Sequence, residues 1–180
     1  MRTKFGGKKG LRLLIEALRH QHTLGCAQPV ISKIARSASI ERFPRGSRLI
    51  IQDSDDNRLA FILSGRVDIF VKGEKVAQRT AAQHVGEMSV IDPRARRSAT
   101  VVAAEDVEVA WVEEKDFSRI ATAHPELWRA LAVELADRLR QRGSLLRDRN
   151  PQPEIFIGSS SESLNLPEQL NARSNPIQLA

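Results

Sequence analysis

The chain has 180 residues, 41% of them hydrophobic, which is room for one ordinary domain with a core and an appendage. No apolar run approaches the length of a membrane span, and the basic opening M-R-T-K-F-G-G-K-K-G leads into no apolar segment with a cleavage site, so neither a membrane anchor nor a secretory signal is read. Net charge is +6, which raises nucleic acid as a partner, but the cations are spread over 2–12, 94–97 and 138–149; the reading is a solvated basic face with an anion pocket and no nucleic-acid partner. The lone Cys26 cannot close an internal disulfide, so a reducing, cytoplasmic setting is expected and the thiol is taken as structural.

In chain order, residues 8–22 place Leu11, Leu14, Ile15 and Leu18 at helical spacing, Gly25 breaks the pattern, and Pro29 opens a second short helix. His20 and His22 do not share a helix face, so no metal site is expected there. From Ile40 the period changes to that of strands. E-R-F-P-R-G-S-R-L-I-I-Q-D reads as strand, turn, strand. R-L-A-F-I-L-S-G-R-V-D-I-F-V-K-G-E-K-V-A-Q-R reads as three strands broken at Ser64-Gly65 and Lys72-Gly73. Residues 99–112 give two more, with alternation predicted over 107–112. Helical period returns at Lys115, with Asp116 as its expected cap. A longer helix begins at Pro125, with Leu127, Leu131, Leu135 and Leu139 as its stripe and Trp128 beside it. That stripe packs on the strands and also allows a seam to a second copy. Arg138, Arg140 and Arg142 are read as charges that suit the helix end. Many short strands with glycine turns predict an α+β fold: an antiparallel barrel or jelly roll over 39–114, N-terminal helices over 1–38 and C-terminal helices over 115–149.

One excursion interrupts the strands: V-G-E-M-S-V-I-D-P-R-A-R-R-S-A-T-V, residues 85–101. Glu87 supplies acceptors for sugar hydroxyls. Arg97 supplies a planar fork of donors that fits phosphate oxygens, and backbone N–H groups from Gly86 onward face the same anion. Arg97 is preferred to Arg94 and Arg96 because R-S-A-T-V runs straight into the strand pattern. A carboxylate for a sugar and a guanidinium for a phosphate describe a nucleotide monophosphate site.

The segment from Ile40 to Arg142 resembles the cyclic nucleotide-binding domain family, whose phosphate cassette G-E-x-(apolar)…R-(small)-A-(T) is matched by Gly86 to Val101. The resemblance implies that Gly86, Glu87, Met88, Arg97, Ser98 and Ala99 bind a cyclic nucleotide, with Glu87 on the ribose and Arg97 on the phosphate. It gives no residue for the base; Arg142 or a neighbour on the long helix is one candidate. Ligand binding is expected to draw the 86–91 turn inward and to repack the long helix over the base.

Residues 148–153, D-R-N-P-Q-P, read as a linker. The tail P-E-I-F-I-G-S-S-S-E-S then resembles the first strand and loop of a bacterial TIR domain, followed by a poorly ordered stub to Ala180. A cyclic nucleotide-binding domain leading into a TIR domain is similar to the TIR effectors of Pycsar anti-phage defence. That resemblance implies cyclic UMP or cyclic CMP as allosteric ligand, no cofactor in this chain, and NAD as the substrate of a TIR domain whose catalytic region lies past residue 180. Two other readings stand beside it. One is a Crp-like transcription regulator without its DNA-binding domain; the other is a free-standing cyclic AMP-binding module.

Overall fold

The computed structural model describes residues 5, 7–25 and 28–149. The chain divides into two compact units, Met1–Gly143 and Ser144–Ala180. Cys26 and residues 150–180, with the expected linker prolines, TIR-like strand and stub, lie outside the described residues.

Two helices come first, α1 (Gly7–Arg19) and α2 (Gln28–Ser37), with a single 3-10 turn at His22–Leu24 between them. Eight strands follow: β1 (Ser39–Phe43), β2 (Arg48–Ile50), β3 (Arg58–Ser64), β4 (Arg66–Val71), β5 (Glu74–Thr80), β6 (His84–Val85), β7 (Thr100–Ala103) and β8 (Val107–Glu113). They form two antiparallel four-stranded sheets, β1-β8-β3-β6 and β2-β7-β4-β5, which is the jelly roll predicted from the strand spacing. Between β6 and β7 the chain forms α3 (Glu87–Ile91). After β8 come α4 (Glu114–Ala123) and α5 (Glu126–Arg149).

The core has two compartments, and β3 and β8 are their shared wall. Leu59 and Phe61 of β3, with Ala110 and Val112 of β8, pack under the helices against Leu18, Ile31, Ile34, Phe117 and Leu131. The residues between them, Ala60, Ile62, Val109 and Trp111, point into the barrel with Val67, Val85 and Val101. Successive strand residues face opposite ways, so a strand covered on both faces has no exposed alternation. This corrects the pattern expected over 107–112, where every residue is buried.

Three further expectations change. Asp116 is not the cap of α4: the helix starts at Glu114 with Glu113 at the cap position, and Asp116 instead accepts from Arg119 at 2.6 Å. Asp148 and Arg149 belong to α5 rather than to a linker. The leucine stripe of α5 is also graded: Leu127 and Leu131 are fully buried, whereas Leu139 is 67% exposed. Its next inward position is Arg138, one turn past Leu135 and two past Leu131 on a 3.6-residue period. Arg138 is therefore not a charge parked at a helix end.

Candidate functional site

A cavity opens between the barrel wall, α3 and α5, and Gly86, Glu87, Met88, Arg97, Ser98 and Ala99 all line it. Gly86 sets its floor. It holds a left-handed backbone (φ 85°), and a Cβ there would lie 2.7 Å from the Arg58 carbonyl and 2.7 Å from Arg97 Nη1. Only glycine lets the chain turn from β6 into α3 while the guanidinium passes this close.

Arg97 is 4% exposed, and its whole donor set is engaged. Nε and Nη2 donate to the two carboxylate oxygens of Asp56 at 3.2 and 2.5 Å. Nη2 also donates to the Arg58 carbonyl at 2.8 Å, and Nη1 to Ser89 Oγ at 2.7 Å and to the Gly86 carbonyl at 3.4 Å. Ser89 Oγ donates in turn to the Gly86 carbonyl. Burial pushes the Asp56 carboxyl up, but hydrogen bonds from Arg97 and Ser54 outweigh it and leave the group below its ordinary value. Of the neighbouring arginines, Arg94 is 94% exposed beside Asp92, while Arg96 also lines the cavity and donates to the Asp53 carbonyl. Ser98 is exposed and donates to Met88 Sδ at 3.3 Å, while Ala99 packs against the barrel core.

Glu87 is 8% exposed at the start of α3, and its Oε1 lies 2.6 Å from Arg138 Nη1 on α5. Arg138 Nη2 also donates to Glu134 at 2.5 Å and to the His84 carbonyl at 2.9 Å. Burial works against the charge on Arg138, but Glu87 and Glu134 outweigh it and raise its pKa. The network runs on to the 3-10 turn. Thr23 Oγ1 donates to Glu134 Oε2 at 2.7 Å, so it accepts from His84 Nδ1 at 3.0 Å. His84 is thereby a neutral Nδ1–H imidazole whose Nε2 faces Arg138 Nη2 at 3.5 Å. Burial, reinforced by Arg138 against the pull of Glu87, keeps its pKa below the ordinary value.

A buried carboxylate and a buried guanidinium thus face one cavity from opposite ends of a 14-residue excursion, 86–99, between two strands. Residues 40–124 match the model of the cyclic nucleotide-binding domain. The chain carries a cyclic nucleotide-binding domain. Two curated relatives extend the likeness beyond this domain. The Pycsar effector protein BcPycTIR of Burkholderia cepacia is 34% identical over 169 residues, 94% of this chain and 56% of that protein. PaPycTIR of Pseudomonas aeruginosa is 35% identical over 161 residues, 89% of this chain and 52% of that protein. The chain therefore spans about half the length of the curated relatives it matches. Among solved structures, a cyclic nucleotide-binding domain from Methylobacillus flagellatus superposes with a TM-score of 0.61 at 22% identity, over 83% of this chain and 88% of that one. The likeness to Pycsar effectors argued from the cassette and the tail is thus found along most of the chain.

Sequence reasoning missed four residues of this domain's cavity region: Asp56, Ser89, Arg79 and Arg138. Ser89 and Arg138 left a signal. Ser89 lies inside the cassette, and Arg138 falls on the inward period of α5 four residues after Glu134. Asp56 sits in a polar turn with nothing local to mark it. Arg142, the residue considered for the base, lies beyond the side chains described. No helix among the described residues is long and apolar enough to cross a membrane.

Proposed function

We propose that this chain is the sensor portion of a cytoplasmic Pycsar-type effector, and that it binds cyclic UMP or cyclic CMP. The observation that carries the reading is the pairing of buried Arg97 and buried Glu87 on one cavity, a phosphate partner and a ribose partner in a single short segment. Both are already engaged, Arg97 by Asp56 and Glu87 by Arg138, so a ligand enters by exchange. A phosphate oxygen takes donors that now serve Asp56, Ser89 or Gly86, and the ribose hydroxyl takes an oxygen of Glu87. The cavity also measures about 100 Å³. An engineered cavity of about 150 Å³ holds one benzene, so a nucleotide needs the α5 roof of Leu135, Arg138 and Leu139 to give way. Ligand binding then selects a different setting of α5. In a longer protein with a complete TIR domain, that change switches on NAD destruction, and the exposed face of α5 meets a second copy.

Calorimetric titration with the four cyclic mononucleotides tests the proposal. Arg97→Ala is expected to weaken binding at least tenfold, since a charge-assisted contact contributes about 1.5–3 kcal/mol. Arg94→Ala, on the exposed turn, is expected to change it less than twofold. Equal affinities of the Arg97→Ala and unaltered chains would overturn the site, and tight binding of cyclic AMP alone would overturn the pyrimidine assignment.

A further inference from the structure

Outside residues 86–99, the cavity is walled by seven apolar residues and two arginines, Arg79 and Arg138. With phosphate and ribose on Arg97 and Glu87, the base is left to the rest of the cavity, whose arginines are Arg79, Arg138 and the cassette's own Arg96, which is turned to the Asp53 carbonyl. Arg138 belongs to the α5 roof that gives way to the ligand, and its terminal nitrogens hold that roof to Glu87, Glu134 and the His84 carbonyl. Arg79 is placed differently. It stands on β5, the edge strand of its sheet, on the same inward face as Ala77, while Gln78 between them turns outward to Asp68. Its Nη1 donates to the Gln78 carbonyl at 2.8 Å and the side chain is not otherwise free, so a base reaches it by exchange of partners, as the phosphate and ribose reach Arg97 and Glu87.

We propose that Arg79 is the base-reading residue of this cavity and that it pairs with a ring carbonyl of the base. The inference rests on the cyclic-nucleotide reading of the site. A guanidinium is a donor only, so at a base edge it meets acceptors and repels amines. Adenine has no carbonyl oxygen and presents an exocyclic amine. Cytosine and guanine each have one carbonyl but bring an amine that the apolar wall leaves unpaired. Uracil has two carbonyls and no amine, though its ring N3–H is a donor of its own. A donor-only wall therefore favours the carbonyl-bearing bases and ranks adenine last, because each buried polar group without a partner weakens binding.

Calorimetry on the full 180-residue chain with cyclic UMP, CMP, GMP and AMP separates this from the reading beneath it. The unaltered chain is expected to bind cyclic AMP least tightly of the four. Arg79→Leu, with its melting curve recorded alongside, is expected to weaken cyclic UMP about 10- to 100-fold, in line with the loss of one charge-assisted hydrogen bond, and to move cyclic AMP less than threefold. Arg79→Gln carries an acceptor beside a donor, the set that pairs with adenine, and is expected to raise the cyclic AMP to cyclic UMP affinity ratio at least tenfold. If both variants keep the unaltered order of the four ligands, or lose all four equally, Arg79 does not read the base while the site itself stands. If the unaltered chain binds none of the four, the cyclic-nucleotide reading fails and this inference falls with it.

Discussion

Arg97 and Gly86 form a single steric unit. The guanidinium reaches Ser89 and the Gly86 carbonyl only because no Cβ stands in its path. Gly86→Ala adds a methyl at 2.7 Å from Arg97 Nη1 and forces alanine into a left-handed backbone at φ 85°. That backbone alone costs about 1–2 kcal/mol. The methyl must also displace Arg97 or the Arg58 carbonyl, and either move spoils the pairing with Asp56. The variant is expected to melt several degrees lower and to bind cyclic nucleotide at least tenfold more weakly. Melting and affinity both unchanged would show that the turn into α3 tolerates a side chain. Arg97 itself is held by charge as well as shape, since Asp56 is kept ionised by the partner it orients.

On the scale of elements, β6, α3, α5 and the 3-10 turn meet at His84. Its ring is 1% exposed, stacks edge-on against Phe61 at 6.1 Å and faces Glu87, Glu134, Arg138, Arg79 and Thr23. Because the folded imidazole resists protonation below its ordinary value of about 6.5, the unfolded chain binds more protons in the window beneath it. Stability is therefore full above that value and falls as pH drops through it. A proton on Nε2 would also face Arg138. Melting temperature is expected to fall between pH 7 and 5, and His84→Asn, which can still donate to Thr23, is expected to flatten that span. The lowered carboxyls of Glu134 and Asp56 leave a second decline at more acid pH. A profile that falls equally steeply in His84→Asn would remove His84 from this role. The cassette was legible in the sequence because its carboxylate, glycine and arginine lie within one local spacing. The turns were legible too: Lys72 and Gly73 both have positive φ, as a two-residue hairpin requires. Asp56 was not, since it acquires its partner only when the β2–β3 turn folds against the cassette, and for Arg138 the helical period marks the inward place but not the partner Glu87, which α5 meets only on folding. Burial of β8 on both faces was hidden for the same reason, because the helices that cover it are remote in sequence.

Across the whole domain, rigidity is uneven. β3 and β8 are packed from both sides, but α5 changes its means of attachment part-way along. Up to Leu131 it is fixed by apolar burial. Beyond it a polar bracket ties the helix to its neighbours, Arg138 to Glu87, Glu134 and the His84 carbonyl, with Thr23 on Glu134. A ligand that takes Glu87 acts on that bracket directly and on the apolar half hardly at all. The second half of α5 is thus the part whose equilibrium the ligand can bias, and differential affinity for its two settings is the source of any signal. Amide hydrogen exchange reads this segment by segment. Arg138→Ala is expected to speed exchange over residues 134–141 about tenfold without ligand, leaving β3 and β8 as slow as before. Saturating cyclic UMP is expected to slow the same segment in the unaltered chain as α5 closes over the base, and to slow it less in Arg138→Ala. Exchange over 134–141 that responds to neither the substitution nor the ligand would mean that α5 is held by contacts other than this bracket. The sensor would then have to transmit through α3 instead.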